Sequence, residues 1–394
     1  MKTAGIICEC NPFHSGHKHL ITMAKESCDA VICVMSGYFT ERGEAAISDP
    51  YTRAEALIHG GADLVLELPY PYSAAGADYF ADAGVDILSR LGVTELWFGS
   101  ECGSVERLSH AARVTLSDEF AQRYAKTATE AVGAARAYFD TLAALCGDGD
   151  AFYSNDVLGI SYLRALMRRQ STMRPITIPR EGSAYLDSAL SENGHPSATA
   201  LRRLLLTSGF DAARAHLLPE TATAIEKAQQ AGHFPADLHY AERAILSFLR
   251  LCDPELLSSL AELGGGLGNR LVSAAKQATS LDELLSLAST KKYTESRLRR
   301  AILFALTGVK KEDLTAAPSY VTVLAANPTG CAFLAHQRKV GSIPTVTRSS
   351  DVPTNGASVA QKSLREAAIS LYSLTLREPT APQSLLVSNP VILK

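Results

Sequence analysis

Two histidines near the start of the chain have the spacing of a phosphate-binding turn. The stretch CNPFHSGHKHL, residues 10–20, places His14 and His17 three residues apart with Gly16 between them, just after the apolar run AGIIC. Residues at i and i+3 share a helix face, and imidazole N–H groups aimed at a phosphate would stabilise charge that develops when its phosphorus is attacked. Gly16 would let the phosphate approach the backbone closely. The alternative interpretation is an ordinary strand-to-helix turn that carries histidines.

A second set of phosphate-binding residue types begins a later helix. The stretch SATALR places Ser197, Thr199 and Arg202 in the first turns of that predicted helix. Exposed N–H groups and the helix dipole favour an anion at such a terminus, and two hydroxyls with a guanidinium can hold the β- and γ-phosphates of a nucleotide. Ser197 alone is also explained as an N-cap, so this motif indicates a nucleotide site only together with the first one.

Alternating strand and helix patterns position both motifs. Apolar strand patterns lie at residues 4–8, 30–35, 64–68, 96–99 and 175–178. Helical patterns lie at residues 17–27, 51–59, 77–90 and, for the most part, 104–145. The strand patterns are continuously apolar, as in a parallel sheet covered on both faces, and the order predicts a doubly wound α/β domain over residues 1–208. Such a fold binds its ligand where the strand carboxyl ends meet the following loops, which is where the histidines fall.

The chain changes character after residue 208. From Asp211 to Thr307 the strand signal disappears, and Leu/Ala patterns with polar faces predict helices. A short mixed segment follows, with strands predicted at residues 320–326 and 344–348 around a helix at residues 330–339. A last helix and an irregular tail after Glu378 complete the pattern. We therefore predict a mostly helical C-terminal domain over residues 209–394.

Longer motifs narrow the interpretation. GIICECNPFHSGHKHLI and SATALRRLL resemble the HxGH nucleotidyltransferase superfamily, which also includes the class I aminoacyl-tRNA synthetases. With MSGYFTERGEAAISDPYTRAEALIHGGADLVLELPYPYSA, LWFGSE and SNDVLGISYLRAL, they resemble the bacterial tRNA(Met) cytidine acetate ligase family. KKYTESRLRRAILFALTGV and YVTVLAANPTGCAFL agree in order and spacing, so the resemblance covers nearly the whole chain. The implied fold is a HUP-like doubly wound nucleotidyltransferase domain followed by a mostly helical domain that binds tRNA.

The resemblance implies a two-step reaction. Acetate and ATP would form acetyl-adenylate and pyrophosphate, and the acetyl group would then pass to N4 of the wobble cytidine of elongator tRNA(Met), giving N4-acetylcytidine. His14 and His17 would be the catalytic residues, Mg²⁺ would accompany ATP, and no metal-ligand set is predicted. The implied ATP site comprises Ile7, Cys8, Glu9, Asn11, Pro12, Phe13, His14, Ser15, Gly16, His17, Leu20, Gly99, Asn155, Arg180, Ser197, Thr199 and Arg202.

Two positions depart from the pattern expected of that family. Glu41 stands where glutamine is expected, and Pro50 stands near the position where lysine is expected. A cation missing there would change contacts to tRNA or to a phosphate.

Contacts to tRNA must come from local patches, because the 394-residue chain has a net charge of −3 and no global basic field. The strongest patch is KKYTESRLRR, in which Lys291, Lys292, Arg297 and Arg300 are predicted to contact tRNA and Tyr293 to stack on a base. Weaker candidates are Arg338, Lys339 and Arg348, and also Arg164, Arg168 and Arg169. The alternative for each patch is a solvated helix face.

The sequence also predicts a cytoplasmic protein with no membrane partner. No apolar stretch approaches the roughly 20 residues of a membrane span, and the first residues lack the pattern of a signal peptide. The eight cysteines show no C-x₂-C spacing, so zinc is not indicated, and they are predicted to be mostly buried thiols in a reducing compartment.

Two other functions fit the phosphate motifs. A small-molecule adenylyltransferase would use the same residues but leave AMP on its product. A non-catalytic RNA-binding protein could retain ATP affinity without chemistry. The large helical C-terminal half favours a macromolecular substrate over the first alternative, and the presence of His14, His17, Thr199 and Arg202 argues against the second.

Overall fold

The computed structural model describes residues 1–128, 132–147, 152–179 and 196–393. Arg180, which the resemblance places in the ATP site, lies outside these residues. Within them, no helix has both the length and the apolar character needed to cross a membrane.

The described strands form one sheet with helices on both faces. They are β1 (Thr3–Cys8), β2 (Ala30–Ser36), β3 (Leu64–Leu68), β4 (Glu95–Ser100), β5 (Arg174–Pro179), β6 (Val321–Ala326), β7 (Thr345–Val346) and β8 (Val391–Ile392). Their order is β5-β4-β1-β2-β3-β6-β7, and β8 also pairs with β6. Strands β1 to β5 pair with one another in parallel, so the predicted doubly wound sheet is confirmed.

The helices of the first half alternate with these strands. They are α1 (Ser15–Ser27), α2 (Pro50–His59), α3 (Ala77–Arg90), α4 (Val105–Thr115), α5 (Asp118–Thr127), α6 (Ala134–Cys146), α7 (Ser154–Arg168) and α8 (Ala198–Thr207). Those that follow are α9 (Gly209–Ala213), α10 (Pro219–Gln230), α11 (Glu242–Leu251), α12 (Pro254–Ser258), α13 (Leu267–Ala275), α14 (Leu281–Ala288), α15 (Glu295–Thr307), α16 (Lys311–Thr315), α17 (Pro328–Val340), α18 (Gly356–Leu374) and α19 (Pro382–Leu386).

The end of the chain returns to the N-terminal sheet. Strand β6 pairs antiparallel with β3, with Leu64 opposite Ala326, while β7 pairs with the start of β6 and β8 with its end. The sheet therefore extends across the predicted boundary at residue 208, which sequence patterns could not show because strand partners are set by tertiary contacts. The tail predicted to be irregular contains α19 and β8, so that prediction is wrong.

Close packing fixes the position of β1, which leads into the histidine loop. Helices α3, α4 and α7 cover one face of the sheet, and α1 and α2 cover the other. A Cβ on Gly84 of α3 would lie 2.6 Å from Ile7, and one on Gly5 would lie 2.7 Å from Leu88. Glycine at these two positions lets α3 and β1 approach each other closely, so the loop after β1 starts from a rigid base.

A second core connects the C-terminal helices to the sheet edge. It contains residues of α11, α13, α14, α15 and α18, together with side chains that follow β2 and β3. Among these, the Tyr38 and Tyr372 ring centroids lie 5.0 Å apart, and those of Tyr70 and Phe304 lie 6.1 Å apart. The C-terminal helices thus pack on loops at the carboxyl edge of the sheet.

Candidate active site

A cleft of about 530 Å³ opens at the carboxyl edge of the sheet beside β1 and β4. The winding of the sheet reverses between these two neighbouring strands, and doubly wound sheets bind ligands at this switch point. Twelve predicted ATP-site residues line the cleft: Ile7, Cys8, Glu9, Asn11, His14, His17, Leu20, Gly99, Asn155, Ser197, Thr199 and Arg202. Segments far apart in the sequence therefore meet around one space.

The two predicted catalytic histidines lie side by side at the N-terminus of α1. Their ring centroids are 4.0 Å apart. His14 Nδ1 accepts a hydrogen bond from the Gly16 N–H at 3.0 Å, and His17 Nδ1 accepts one from the His14 N–H at 3.4 Å. A neutral ring whose Nδ1 accepts carries its proton on Nε2, so each imidazole retains an Nε2–H donor. The helix begins at Ser15 rather than at His17 as predicted, because the His14 side chain caps it.

Phe13 packs beneath the histidine loop as a buried side chain in contact with His17. Its side chain is buried, and its ring stacks on the His17 ring at 6.1 Å with 15° between the planes. The Thr221 hydroxyl of α10 donates to the Phe13 carbonyl at 2.8 Å. Pro12, Phe13, Ser15 and Gly16, which the resemblance also implies, do not line the cleft itself. Phe13 instead packs against the His17 ring and so helps to position it.

Arg202 of α8 joins the second motif to the first. Its Nη1 donates to the Asn11 carbonyl at 2.7 Å, and its Nη2 donates to Glu44 Oε2 at 3.1 Å and to Thr199 Oγ1 at 3.5 Å. Ser197 Oγ accepts from the Ala200 N–H at 3.2 Å, so Ser197 is also the N-cap of α8. The start of α8, with its exposed N–H groups, therefore closes one side of the cleft.

An apolar wall that also lines the cleft was missed by the sequence reasoning. It is formed by Phe80, Phe98, Leu158 and Tyr162. The Phe98 and Tyr162 ring centroids are 5.6 Å apart, and the Tyr162 hydroxyl donates to the Ile7 carbonyl at 3.4 Å. Ligand pockets characteristically combine such apolar surface with a few polar groups. Two signals were available: Phe98 precedes Gly99, and Leu158 and Tyr162 are four residues apart on α7.

Glu101 is a second residue that the sequence reasoning missed. Its Oε1 accepts from Asn155 Nδ2 at 2.6 Å, and its Oε2 accepts from the Asp156 N–H at 2.9 Å. Glu101 thus binds the N-terminus of α7 and orients the Asn155 amide at the cleft. The signal was present in the quoted stretch LWFGSE, where Glu101 stands two residues after Gly99.

Carboxylates lie close together on the loop side of the cleft. Glu9 Oε1 accepts from the Glu41 N–H at 2.8 Å. Burial, and next the charge of Glu41, raise the pKa of Glu9 to about 7. Burial likewise raises the pKa of Glu41, although its Oε1 lies 3.5 Å from Nη1 of Arg300. A carboxyl group in this cleft therefore changes charge near neutral pH.

The two departures from the family pattern have clear structural positions. Glu41 lines the cleft and faces Arg300 of α15. Pro50 is buried as the first residue of α2, whose N-terminus is capped by the Asp49 side chain at 2.9 Å from the Tyr51 N–H. Neither position brings a cation to the cleft.

The predicted tRNA patch is only partly available on the surface. Lys291 is exposed and Lys292 is half-buried, just before α15. Arg297 Nε lies 3.1 Å from Glu262 Oε2, and Arg300 Nε lies 3.6 Å from Glu262 Oε1. Arg300 Nη1 also donates to the Glu41 carbonyl at 3.2 Å. The two arginines are therefore already paired with acidic groups.

The prediction that Tyr293 stacks on a base is wrong. Tyr293 is only 7% exposed, and its hydroxyl donates to the Gly265 carbonyl at 2.8 Å. Of the weaker candidates, Arg164 pairs with Asp78 of α3. Arg169 pairs with Asp82 and Asp86, which also lie on α3. Arg168, Arg338, Lys339 and Arg348 are exposed.

The described residues contain no group of three or more His, Cys, Asp or Glu side chains that could hold a metal ion. The eight cysteines are free thiols, of which Cys8, Cys10, Cys28 and Cys33 are buried. The prediction that most of them are buried therefore holds for only half.

A family model and two solved structures define the class of protein to which this chain belongs. Residues 1–384 match the family model described as HIGH Nucleotidyl Transferase. Two solved structures of Thermotoga maritima TmcAL share the whole fold. The apo form gives a TM-score of 0.91 at 29% identity, and the form bound with alpha-thio ATP gives 0.89 at 28%, each covering 100% of both chains. The sheet, the HxGH loop and the cleft are thus those of a HIGH nucleotidyltransferase.

The sequence relatives define the family within this class. The tRNA(Met) cytidine acetate ligase of Anoxybacillus flavithermus is 35% identical over 400 residues, covering 98% of each chain. The protein of the same name from Syntrophotalea carbinolica is 33% identical, covering 89% of this chain and 86% of its own. The chain belongs to the tRNA(Met) cytidine acetate ligase family.

Proposed function

We propose that this chain activates acetate with ATP and transfers the acetyl group to N4 of the wobble cytidine of elongator tRNA(Met). The observation that carries the proposal is the meeting of His14, His17, Thr199 and Arg202 around one cleft at the switch point of the sheet. The names of the sequence relatives and the alpha-thio ATP bound to a structural relative support the same substrate set.

In the first step, a carboxylate oxygen of acetate attacks the α-phosphorus of ATP and pyrophosphate leaves. The Nε2–H donors of His14 and His17 would stabilise the negative charge that develops on the phosphate oxygens. Thr199, Arg202 and the N-terminus of α8 would hold the outer phosphates. The apolar wall, which includes Phe98, offers a surface on which the adenine can pack.

In the second step, N4 of cytidine attacks the acetyl carbonyl carbon and AMP leaves with the electrons of the broken C–O bond. The amine also loses a proton. The wobble base lies in an RNA loop, so extruding it into a cleft costs less than extruding a paired base. The cleft opens beside Glu41 and Arg42, on a loop that packs against α15, so a large substrate could contact the C-terminal helices while its base reaches the site.

Mg²⁺ is expected to enter with ATP. The described donors offer no ready-made cage, and Mg²⁺ in nucleotide sites is commonly held by phosphate oxygens and water. Its contribution would be to neutralise phosphate charge. The ATP and tRNA substrates and the free thiols fit a reducing cytoplasm.

The tRNA surface is proposed to lie mainly on residues 209–394. Lys291 and Lys292 remain candidates for phosphate contacts. Arg297 and Arg300 can serve only if RNA phosphates replace Glu262 and Glu41 as their partners, so binding through them would require a local rearrangement.

The first step can be tested by acetate-dependent exchange of labelled pyrophosphate into ATP. The wild-type protein should catalyse exchange that requires acetate. His17→Ala should lower the exchange rate by about 10²–10³-fold, the size of effect seen for a lost charge-stabilising donor, and leave tRNA affinity within a few fold. His19→Ala is the matched control, because His19 is exposed on the same helix outside the cleft, and it should exchange like the wild type.

Other outcomes would separate the alternatives. AMP attached to a small metabolite, without acetate dependence, would identify a small-molecule adenylyltransferase. RNA binding without any exchange would identify a non-catalytic protein. Loss of tRNA binding in His17→Ala would show that this loop contacts RNA instead of activating acetate.

A further inference from the structure

We infer that Glu9 is the general base that accepts the proton from cytidine N4 during acetyl transfer. The inference rests on the proposed function, since it assigns a residue to the second step of that reaction. It extends the role of Glu9 beyond a place in the ATP-binding loop.

Glu9 is placed at the point where the two steps must meet. It directly follows β1 and lines the cleft together with Asn11 and His14. Its backbone carbonyl accepts from Arg53 Nη1 at 2.7 Å, and its Oε1 accepts from the Glu41 N–H at 2.8 Å. Backbone and side chain are therefore both anchored, which holds the carboxyl group in one place in the cleft that His14 and His17 also line.

The two histidines are poorly suited to accept this proton. In each ring the Nδ1 lone pair is engaged by a backbone N–H. In a neutral ring the Nε2 atom then carries the hydrogen and is a donor, and both rings line the cleft. His14 and His17 are thus suited to stabilise anionic oxygens, and the step that follows needs a different group as acceptor.

The other described titratable groups that line the cleft are also committed. Cys8 and Cys10 pack in the apolar core. The Tyr162 hydroxyl donates to a backbone carbonyl, and burial raises its pKa. Glu41 faces Arg300. Within the described part of the chain, Glu9 remains as the carboxylate in the cleft without a cationic side chain bonded to it.

The charges around Glu9 set its protonation near neutral pH. Five groups interact with it: Glu41 and Glu44 from the loop before α2, Arg53 from α2, Tyr162 from α7 and Arg202 from α8. His14, His17 and Arg42 line the same cleft. Burial and Glu41 raise the pKa of Glu9 to about 7, while Arg202 acts in the opposite direction. A base with a pKa near the working pH is both available and strong enough to assist proton transfer.

Acetyl transfer forms one bond, breaks one bond and releases one proton. N4 of cytidine forms a bond to the acetyl carbonyl carbon, the C–O bond to the AMP phosphate breaks, and AMP leaves with that electron pair. The N4 proton passes to a Glu9 carboxylate oxygen. Solvent then takes the proton and restores the carboxylate.

The test measures both steps in Glu9→Gln. Transfer from synthetic acetyl-adenylate to an elongator tRNA(Met) transcript should fall at least 100-fold in single turnover, within the range for general-base catalysis. Acetate-dependent pyrophosphate exchange should fall much less than transfer, because the first step needs no general base; any loss in exchange reports the place of Glu9 in the predicted ATP site. The wild-type transfer rate should rise with pH and level off above about pH 7, and the variant should lose this dependence. A melting temperature of Glu9→Gln close to that of the wild type would show that the variant is folded.

Glu41→Gln provides a second, independent variant. Removing the negative charge beside Glu9 should lower the pKa of Glu9 and move the acid limb of the transfer profile to lower pH, by up to about one unit. Glu255→Gln, an exposed change far along the chain, controls for the loss of one negative charge.

The outcomes are distinguishable. Transfer by Glu9→Gln within threefold of the wild type would overturn the inference, as would equal losses in exchange and transfer, or an acid limb that stays in place in both variants. If the wild-type protein itself shows no acetate-dependent exchange, the proposed function fails and the assignment of Glu9 fails with it. If wild-type exchange is normal and only the variant comparison fails, the proposed function stands and the inference alone is wrong.

Discussion

At the scale of single residues, Arg202 connects three different segments at the cleft. It bonds the Asn11 carbonyl of the histidine loop, the Glu44 carboxylate and the Thr199 hydroxyl, and only 14% of its side chain is exposed. Such a residue can both hold the loop in place and offer a guanidinium to phosphates. Loss of Arg202 should therefore weaken the binding of ATP more than the binding of any other ligand.

Replacing Arg202 with alanine should raise the KM for ATP about 10–100-fold, because a hydrogen bond to a charged group contributes about 1.5–3 kcal/mol. Arg203→Ala is the matched control, since Arg203 is exposed on the same helix. It should leave the KM for ATP within about twofold. Equal effects of the two variants, measured by the exchange assay at varied ATP, would contradict the role given to Arg202.

The sequence was most informative at positions where the residue type and its spacing point to one kind of ligand contact. Sequence reasoning placed His14, His17, Thr199 and Arg202 in one site, and all four line one cleft; their contacts to ATP stay a prediction. It was wrong for Tyr293, because the charged segment around this residue gives no sign that its side chain is buried in the fold. It missed Glu101, because a single glutamate becomes informative only when the helix terminus that it caps is known to be nearby.

At the scale of elements, pairing between distant segments decides what the sequence can reveal. The strands β1 to β5 were predicted from continuous apolar runs, which require only local pattern. The pairing of β6 with β3 joins residues near 65 to residues near 325, and no local pattern specifies that partner. The same limit applies to β8, whose two residues pair with the end of β6.

One contact between short elements should make stability depend on pH. His239, on a 3₁₀ turn at Leu238–Ala241, has Nδ1 at 2.6 Å from Asp237 and Nε2 at 3.0 Å from Asp282 at the start of α14. Hydrogen bonding, first to Asp237, raises the pKa of His239 to about 9. Because the folded pKa is above the unfolded one, the stabilisation is complete below about pH 6.5 and is lost as the pH rises through about 9.

His239→Gln should accordingly lower the melting temperature at pH 6 and have little effect at pH 10. The change should be small, at most about 1 kcal/mol, because half-exposed ion pairs are screened by solvent. The exposed His216 provides the control variant His216→Gln, which should show no such pH dependence. An equal destabilisation by His239→Gln at both pH values would contradict the ionic contribution.

At the scale of the whole molecule, one loop contributes both to the cleft and to the core of the C-terminal helices. Glu41 lines the cleft and faces Arg300 of α15, while Tyr38 and Phe39 pack in the second core with Tyr372 of α18. The sheet also takes its last strands from the end of the chain. A substrate bound on the C-terminal helices would therefore contact the same body that carries the proposed ATP site.

The most direct test of the account is the identity of the product. The protein is incubated with ATP, labelled acetate and a transcript of elongator tRNA(Met), and the RNA is digested to nucleosides for mass spectrometry. A transcript with uridine at the wobble position serves as the matched control. The account predicts labelled N4-acetylcytidine from the first transcript, dependent on ATP and acetate, and none from the second. Acetate-dependent exchange without any acetylated cytidine, or label at another nucleoside, would contradict it.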